Sequence, residues 1–419
     1  THTLSKVCSI IGIIILFKWR RLCELDVGGL EGAKDAAMIC AYEEPEISHP
    51  RPDVRRGPRH RGACAGPEPI AAAGIAAVGD RRLLGADGGS GTRYILLGAF
   101  ASALLLYGIS MVYGEVALHG FDAPTSFAAI RQYTAGVSDL SPPFLVGMAL
   151  IIAGLGFKVA AVPFHMWTPD VYEGAPLPVT AYLAVGSKAA AFALVLRLFA
   201  TAFLAAIDQW QLIIASLAVA TMTLGNLVAL AQHNIKRLLA YSSIGQVGYL
   251  LLGIAALALV GSDNSIIPLA NASNAIILHL VGYGVANLAA FVAIIAFYNA
   301  TGKDNINDFA GLADRNPFIA MSLTVALFSL AGLPFFAGFI TKFYLFIAAA
   351  EADMLWLAGV AIANSLISLY YYLIVIRQMY MRPAEESGKI NVSRVTGGLL
   401  GTLVIGTVAI GIYPAPLVD

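Results

Sequence analysis

From residue 92 onward the chain alternates long apolar runs with short polar stretches. Many of the runs reach ~18 residues or more, the length that crosses a bilayer's hydrocarbon core. They predict nine hydrophobic helices, near 93–113, 144–166, 178–205, 210–232, 238–260, 269–299, 317–347, 355–381 and 395–413. Several exceed the ~20 residues needed to span a ~30 Å core, so they tilt, protrude or break. The 317–347 segment carries Gly332-Leu333-Pro334, where proline removes a backbone donor and clashes with the preceding turn. A second proline, Pro163, lies in 144–166.

The earlier part of the chain differs. Residues 1–18 read as a remnant transmembrane helix, SKVCSIIGIIILF, whose apolar run ends in basic residues and not at a small-residue cleavage site. Residues 19–91 are rich in Arg, Gly, Pro and Glu, as in EEPEISHPRPDVRRGPRHRGACAGPEP, and contain no long apolar run. By composition this is a disordered polar segment or a basic surface tract.

Composition narrows the class. The chain is 58% hydrophobic and only 12% charged, with a mean hydropathy of +0.75, where a soluble protein is about 25% charged. The fold class is therefore all-α, a polytopic helical membrane protein in contact with the lipid bilayer. Zero formal net charge gives no support to nucleic-acid binding. Cys8, Cys23, Cys40 and Cys64 are widely spaced and match no metal or iron–sulfur pattern. No phosphate loop, zinc-protease motif or cofactor fingerprint is present, so no bound cofactor or metal is expected in this chain. Glycines within the spans read as points of close helix packing.

Numbering the loops in order places them alternately on two sides. One side receives Arg93, Lys236, Arg237, Lys303, Arg315, Arg382, Lys389 and Arg394. The other receives Glu115, Asp122, Asp139, Asp208, Asp263, Glu351, Asp353 and Asp419, with Arg131 as its single basic residue. The positive-inside rule assigns the first side to the cytoplasm, and the odd helix count then puts the C-terminus on the far side.

Three lysines lie within these apolar stretches: Lys158, Lys188 and Lys342. A lysine at the bilayer centre costs roughly 2.5–3.5 kcal/mol. A charge kept at that cost, beside a broken helix, points to a polar path in which an ammonium group loads and releases a proton. Snorkelling to the headgroups is the alternative. It suits Arg197 and Arg377 near helix ends, suits Lys158 and Lys188 poorly, and serves Lys342 as well as the relay does. His165 continues the path or is a hydrogen-bonded interfacial residue. His279 reads as an interhelical hydrogen-bonder, and Lys236 beside Arg237 as an orientation anchor.

Longer strings add a resemblance. GFKVAAVPFHMWTPDVYEGAP, SKAAAFALVLRLF, NLVALAQHNIKRLLAYSSIGQVGYLLLGI, AGLPFFAGFITKFY and SLYYYLIVIRQMY resemble the antiporter-like membrane subunits, of the subunit N type, of bacterial respiratory complex I. That complex is the NADH:quinone oxidoreductase, and its chloroplast and cyanobacterial counterpart is similar. The resemblance covers roughly residues 92–419. It implies two inverted five-helix repeats with two proline-broken helices, and a proton-translocating role driven by quinone reduction elsewhere in the complex. NADH, FMN, iron–sulfur clusters and quinone are then held by other subunits, and the partners are the other membrane-arm subunits.

By position, Lys158 matches the family's lysine on its first broken helix, Lys188 the linking lysine on the next helix, and Lys342 the lysine on the second broken helix. His165 and Lys236 match residues along or beside the hydrophilic axis. Two other functions fit the same fold: a cation/proton antiporter not driven by electron transfer, and a membrane-arm scaffold that no longer pumps. The family also places a membrane glutamate on the helix before TRYILLGAF, and here that stretch is the Arg/Pro/Gly-rich segment. Resemblance on both sides of a foreign stretch is the mark of two compensating frameshifts, so 19–91 is expected to be an out-of-frame translation and the chain to start late. Glu68 falls near the missing carboxylate, but its GPEP context is not helical.

Overall fold

The computed structural model describes residues 89–414, apart from 122, 138, 258–266 and 385–387. The expected remnant helix at 1–18 and nearly all of the 19–91 segment lie outside these residues. Among the described residues every regular element is helical.

The first spans are α1 (Gly89–Leu118) and α3 (Pro142–Val159). Between them lies a short helix that the apolar pattern does not predict, α2 (Phe127–Gly136). After α3 the chain turns into α4 (Trp167–Gly174) and then α5 (Leu177–Ala202), which holds two π turns, Leu183–Ser187 and Leu198–Ala202. Three long helices follow: α6 (Ile207–Ala229), α7 (Ile235–Ala255) and α8 (Ile267–Thr301). The last are α9 (Pro317–Ala331), α10 (Ala337–Glu351), α11 (Leu355–Met381) and α12 (Arg394–Ile412). Eight described helices are long and apolar enough to cross a membrane. The remaining predicted span, 317–347, is the pair α9 and α10, interrupted at the expected Gly-Leu-Pro.

Polar side chains fix where several helices begin. Ser126, Ser141, Asn234, Asn316 and Ser393 each accept a hydrogen bond from a backbone N–H of the first turn of α2, α3, α7, α9 and α12.

The two broken helices stop in the same manner. α3 ends at Ala160, in the left-handed region at φ 65°, and the Ala161 N–H reaches back to Gly156 O at 2.8 Å. α9 ends at Gly332, at φ 90°, and the Leu333 N–H reaches back to Phe328 O at 3.0 Å. Both are Schellman-type closures that satisfy carbonyls left free at a helix end. The first closure also corrects the sequence reading: the helix stops at Val159, before Pro163, and so places Lys158 in its last turn and not midway along it.

Contacts between loops bear out the alternation of sides. Arg93 pairs with Asp170 at 2.7 Å, Arg237 with Glu173 at 2.7 Å, and Lys236 with Asp304 at 2.9 Å. The Ile390 N–H donates to Arg315 O at 3.3 Å. All of these loops fall on the predicted basic side. α3 therefore runs toward that side and α9 away from it, so the two breaks are met in opposite directions, as inverted repeats require.

α7 has no outer face: every residue from Ser242 to Ala255 is buried. Lipid is as apolar as leucine, so close van der Waals contact must hold such a helix in place. Small residues permit it. A Cβ on Gly248 would stand 2.6 Å from the Met222 backbone nitrogen of α6, and one on Gly225 would stand 2.6 Å from Gly245 N. The second break is packed as tightly, because a Cβ on Gly338 would lie 1.7 Å from Ser329 O. Gly338→Ala is expected to force α9 and α10 apart and to destabilise the protein beyond the usual ~1–3 kcal/mol of an overpacked core. Thermal melting in detergent checks this, and an unchanged transition would contradict the packing.

Candidate functional site

Two ammonium groups lie inside this bundle. Lys188 is 2% exposed and Lys342 is 3% exposed, and no buried carboxylate accompanies them among the described residues. Lys188 extends from α5 just after its first π turn. Its Nζ donates to Ser243 Oγ at 2.8 Å and to Ser243 O at 3.1 Å, both on α7. Ser243 in turn donates to Ala240 O at 2.8 Å.

Lys342 lies on α10 and reaches back across the break. Its Nζ donates to Leu330 O at 3.0 Å, Ala331 O at 3.2 Å and Ser365 Oγ at 3.2 Å, which accounts for all three ammonium hydrogens. The two carbonyls are the exposed negative end of the α9 dipole, which favours a cation there. The Tyr249 ring faces the same ammonium with its centre 4.6 Å away. The alternative that Lys342 snorkels to the headgroups is therefore corrected: the break supplies acceptors deep in the bundle, and the side chain takes them.

α7 connects the two lysines. Ser242 and Ser243 lie at the Lys188 end, and Gln246 follows one turn later on the same helix. Gln246 Nε2 donates to Leu330 O at 3.1 Å, the carbonyl that Lys342 also uses. Ser242 Oγ shares a short hydrogen bond with the Tyr372 hydroxyl of α11. Tyr371 donates to Asn226 Oδ1 at 3.0 Å, and Asn226 donates to Asn364 O at 3.2 Å, which extends the polar zone between α6 and α11. Tyr172 OH, Tyr249 OH and His279 Nε2 are buried without a hydrogen-bond partner among the described residues, the kind of atoms that ordered water satisfies in protein interiors. Polar side chains of α7 thus meet both ammonium groups, Ser243 directly at Lys188 and Gln246 through the Leu330 carbonyl that it shares with Lys342.

The remaining expected site residues lie elsewhere. Lys158, in the last turn of α3, is exposed, which corrects the expectation that it is enclosed. His165 is half-buried in the turn between α3 and α4, and its Nδ1 has no partner among the described residues. Lys236 is held at the start of α7 by Asp304 and by Glu173 O at 2.9 Å, the contacts of an anchor. His279 donates to or accepts from Thr341 Oγ1 at 2.9 Å, the interhelical bond expected of it. Ser242, Ser243, Gln246, Ser365 and Tyr372 are absent from the sequence-based set. The visible signal was three neutral polar side chains at i, i+1 and i+4 in YSSIGQ, on a helix too apolar for a surface.

Two broken helices running in opposite directions, with a buried lysine after each break, define an antiporter-like membrane protein. Residues 86–368 match the family model described as NADH:quinone oxidoreductase/Mrp antiporter, transmembrane, and the chain belongs to that family. The chain is 46% identical over 333 residues to NADH-quinone oxidoreductase subunit N of Moorella thermoacetica, a match covering 79% of this chain and 66% of that protein. The chain thus spans about two-thirds of that relative's length. A chain of respiratory complex I from Thermus thermophilus with bound aureothin superposes with a TM-score of 0.61 at 30% identity, covering 78% of this chain and 68% of that one. A chain of the Mrp complex from Dietzia shares the fold, with a TM-score of 0.69 at 24% identity over 82% of this chain and 69% of that one.

Proposed function

We propose that this chain is a proton-translocating membrane subunit of an NADH:quinone oxidoreductase, in which Lys188 and Lys342 are proton-loading sites. The observation that carries the reading is the pair of buried ammonium groups linked through α7. Neither has a buried carboxylate partner among the described residues, so hydroxyl and carbonyl dipoles hold each charge. A small change of field then decides whether each lysine keeps its proton. Electron transfer from NADH to quinone, with its flavin and iron–sulfur groups, belongs to other subunits. Their rearrangement reaches this chain through neighbouring membrane-arm subunits, and water joins the side chains into a continuous route. The basic loops face the cytoplasm, and the C-terminus lies on the periplasmic side of the inner membrane.

One observation favours a second reading, a membrane-arm scaffold that no longer pumps: Lys158, the residue matching the first half-channel, is exposed. The two readings part on one experiment. In complex assembled with this chain and placed in vesicles, NADH oxidation by quinone should drive acidification, and Lys158→Ala should lower the protons moved per NADH. Normal assembly with no contribution of this chain to the proton yield would establish the scaffold. Co-purification with flavin and iron–sulfur subunits separates both from a free-standing cation/proton antiporter.

A further inference from the structure

On the acid-rich side, α2 and the end of α5 enclose a groove of about 420 Å³ lined by Phe127, Ala128, Arg131, Gln132, Ala135 and Thr201. α2 lies against the bundle through buried Ala129, Ile130, Tyr133 and Thr134. Thr134 Oγ1 donates to Ala202 O at 3.4 Å, the last residue of α5, so α2 is fixed where a spanning helix leaves the hydrocarbon. Its opposite face presents Arg131 and Gln132. The guanidinium of Arg197 lies 5.5 Å from the centre of the Phe127 ring, which puts a second arginine at the rim.

Exposed arginines without an ion pair among the described residues occur on both sides, Arg382 and Arg394 being among those of the basic one. On the basic side Arg93, Lys236 and Arg237 are all ion-paired. Arg131 and Arg197 are exposed and make no ion pair among the described residues, although the loops of their own side are rich in carboxylates. Leu194, one turn before Arg197 on α5, is 46% exposed and continues the same surface into the apolar span. Two guanidinium groups without an ion pair among the described residues, near the end of a spanning helix and beside an exposed leucine, match the chemistry of an anionic lipid. The phosphate takes the forked arginine donors, and a chain follows the helix.

We propose that this groove binds an anionic glycerophospholipid, its phosphate held between Arg131 and Arg197, its headgroup against Gln132 and Thr201, and one acyl chain along Leu194. The site is independent of the lysine axis and of the transport reading. Its test uses the full chain purified in a neutral detergent and titrated with short-chain phosphatidylglycerol or phosphatidylcholine, bound lipid being counted by native mass spectrometry. Phosphatidylglycerol should bind about thirty-fold more tightly, as two arginines at ~1 kcal/mol each imply. R131Q/R197Q should abolish that preference, and each single variant should lose part of it. R382Q/R394Q, which removes two exposed arginines from the other side, should retain it in full. Equal binding of the two lipids, or a preference that survives R131Q/R197Q, would overturn the assignment. So would displacement of the lipid by inorganic phosphate at matching concentrations, since that would make the groove a free-anion site.

Discussion

In vesicles containing complex assembled with Lys188→Met, NADH-driven acidification is expected to fall by roughly 10²-fold or more, the usual cost of removing a positioned proton carrier. The same substitution should leave thermal stability unchanged or raise it. Lys188 brings a buried cation to Ser243 without a neighbouring carboxylate among the described residues. Replacing such a charge with an apolar side chain of similar length removes its desolvation cost. Ser243 keeps its bond to Ala240 O, so no new orphan is created. Loss of pumping together with retained stability separates a relay from a structural post. Retained pumping, measured as protons moved per NADH oxidised, would refute the assignment.

Lys342→Met should also stop pumping, but with the opposite effect on stability. This ammonium closes the end of α9, where Leu330 O and Ala331 O would otherwise present an exposed helix terminus. Gln246 and Ser365 still donate to those carbonyls, which limits the loss to about 1–2 kcal/mol. Arginine should not rescue the variant. A longer, planar guanidinium does not reproduce the compact ammonium that meets Leu330 O, Ala331 O and Ser365 Oγ together. Pumping by Lys342→Arg, or melting of Lys342→Met at the parent temperature, would contradict this account. The pair of variants therefore distinguishes two lysines that look alike in the sequence.

Much of the architecture was legible because span length and apolarity are local properties. The nine predicted spans correspond to eight long helices and one broken pair, and the break at Gly332-Leu333-Pro334 was visible in its own residues. The first break was harder to locate. Ala160 adopts a left-handed conformation that alanine gives no reason to expect, so the helix seemed to run on to Pro163. α2 escaped notice because ten residues do not register as a span.

The site was legible in part, for a different reason. A lysine's presence in a span can be read from the chain, but its burial depends on which neighbours cover its face. Lys188 fits the reading, Lys158 does not, and Lys342, for which both readings stood open, is buried. The residues between the lysines were passed over because serine and glutamine carry no charge to draw attention. Only the complete enclosure of α7 makes Ser242, Ser243 and Gln246 costly enough to notice.

The depth of the second break has an electrical consequence. α9 covers fifteen residues from the basic side to Ala331, so the carbonyls that hold Lys342 lie roughly 20 Å along that helix from its start. A proton resting there has crossed between half and two-thirds of the transmembrane voltage, a difference of roughly 1–1.5 kcal/mol per 100 mV. If Lys342 loads protons as proposed, an energised membrane would bias its occupancy by about ten-fold per 100 mV, and the voltage would then act on the loading step itself.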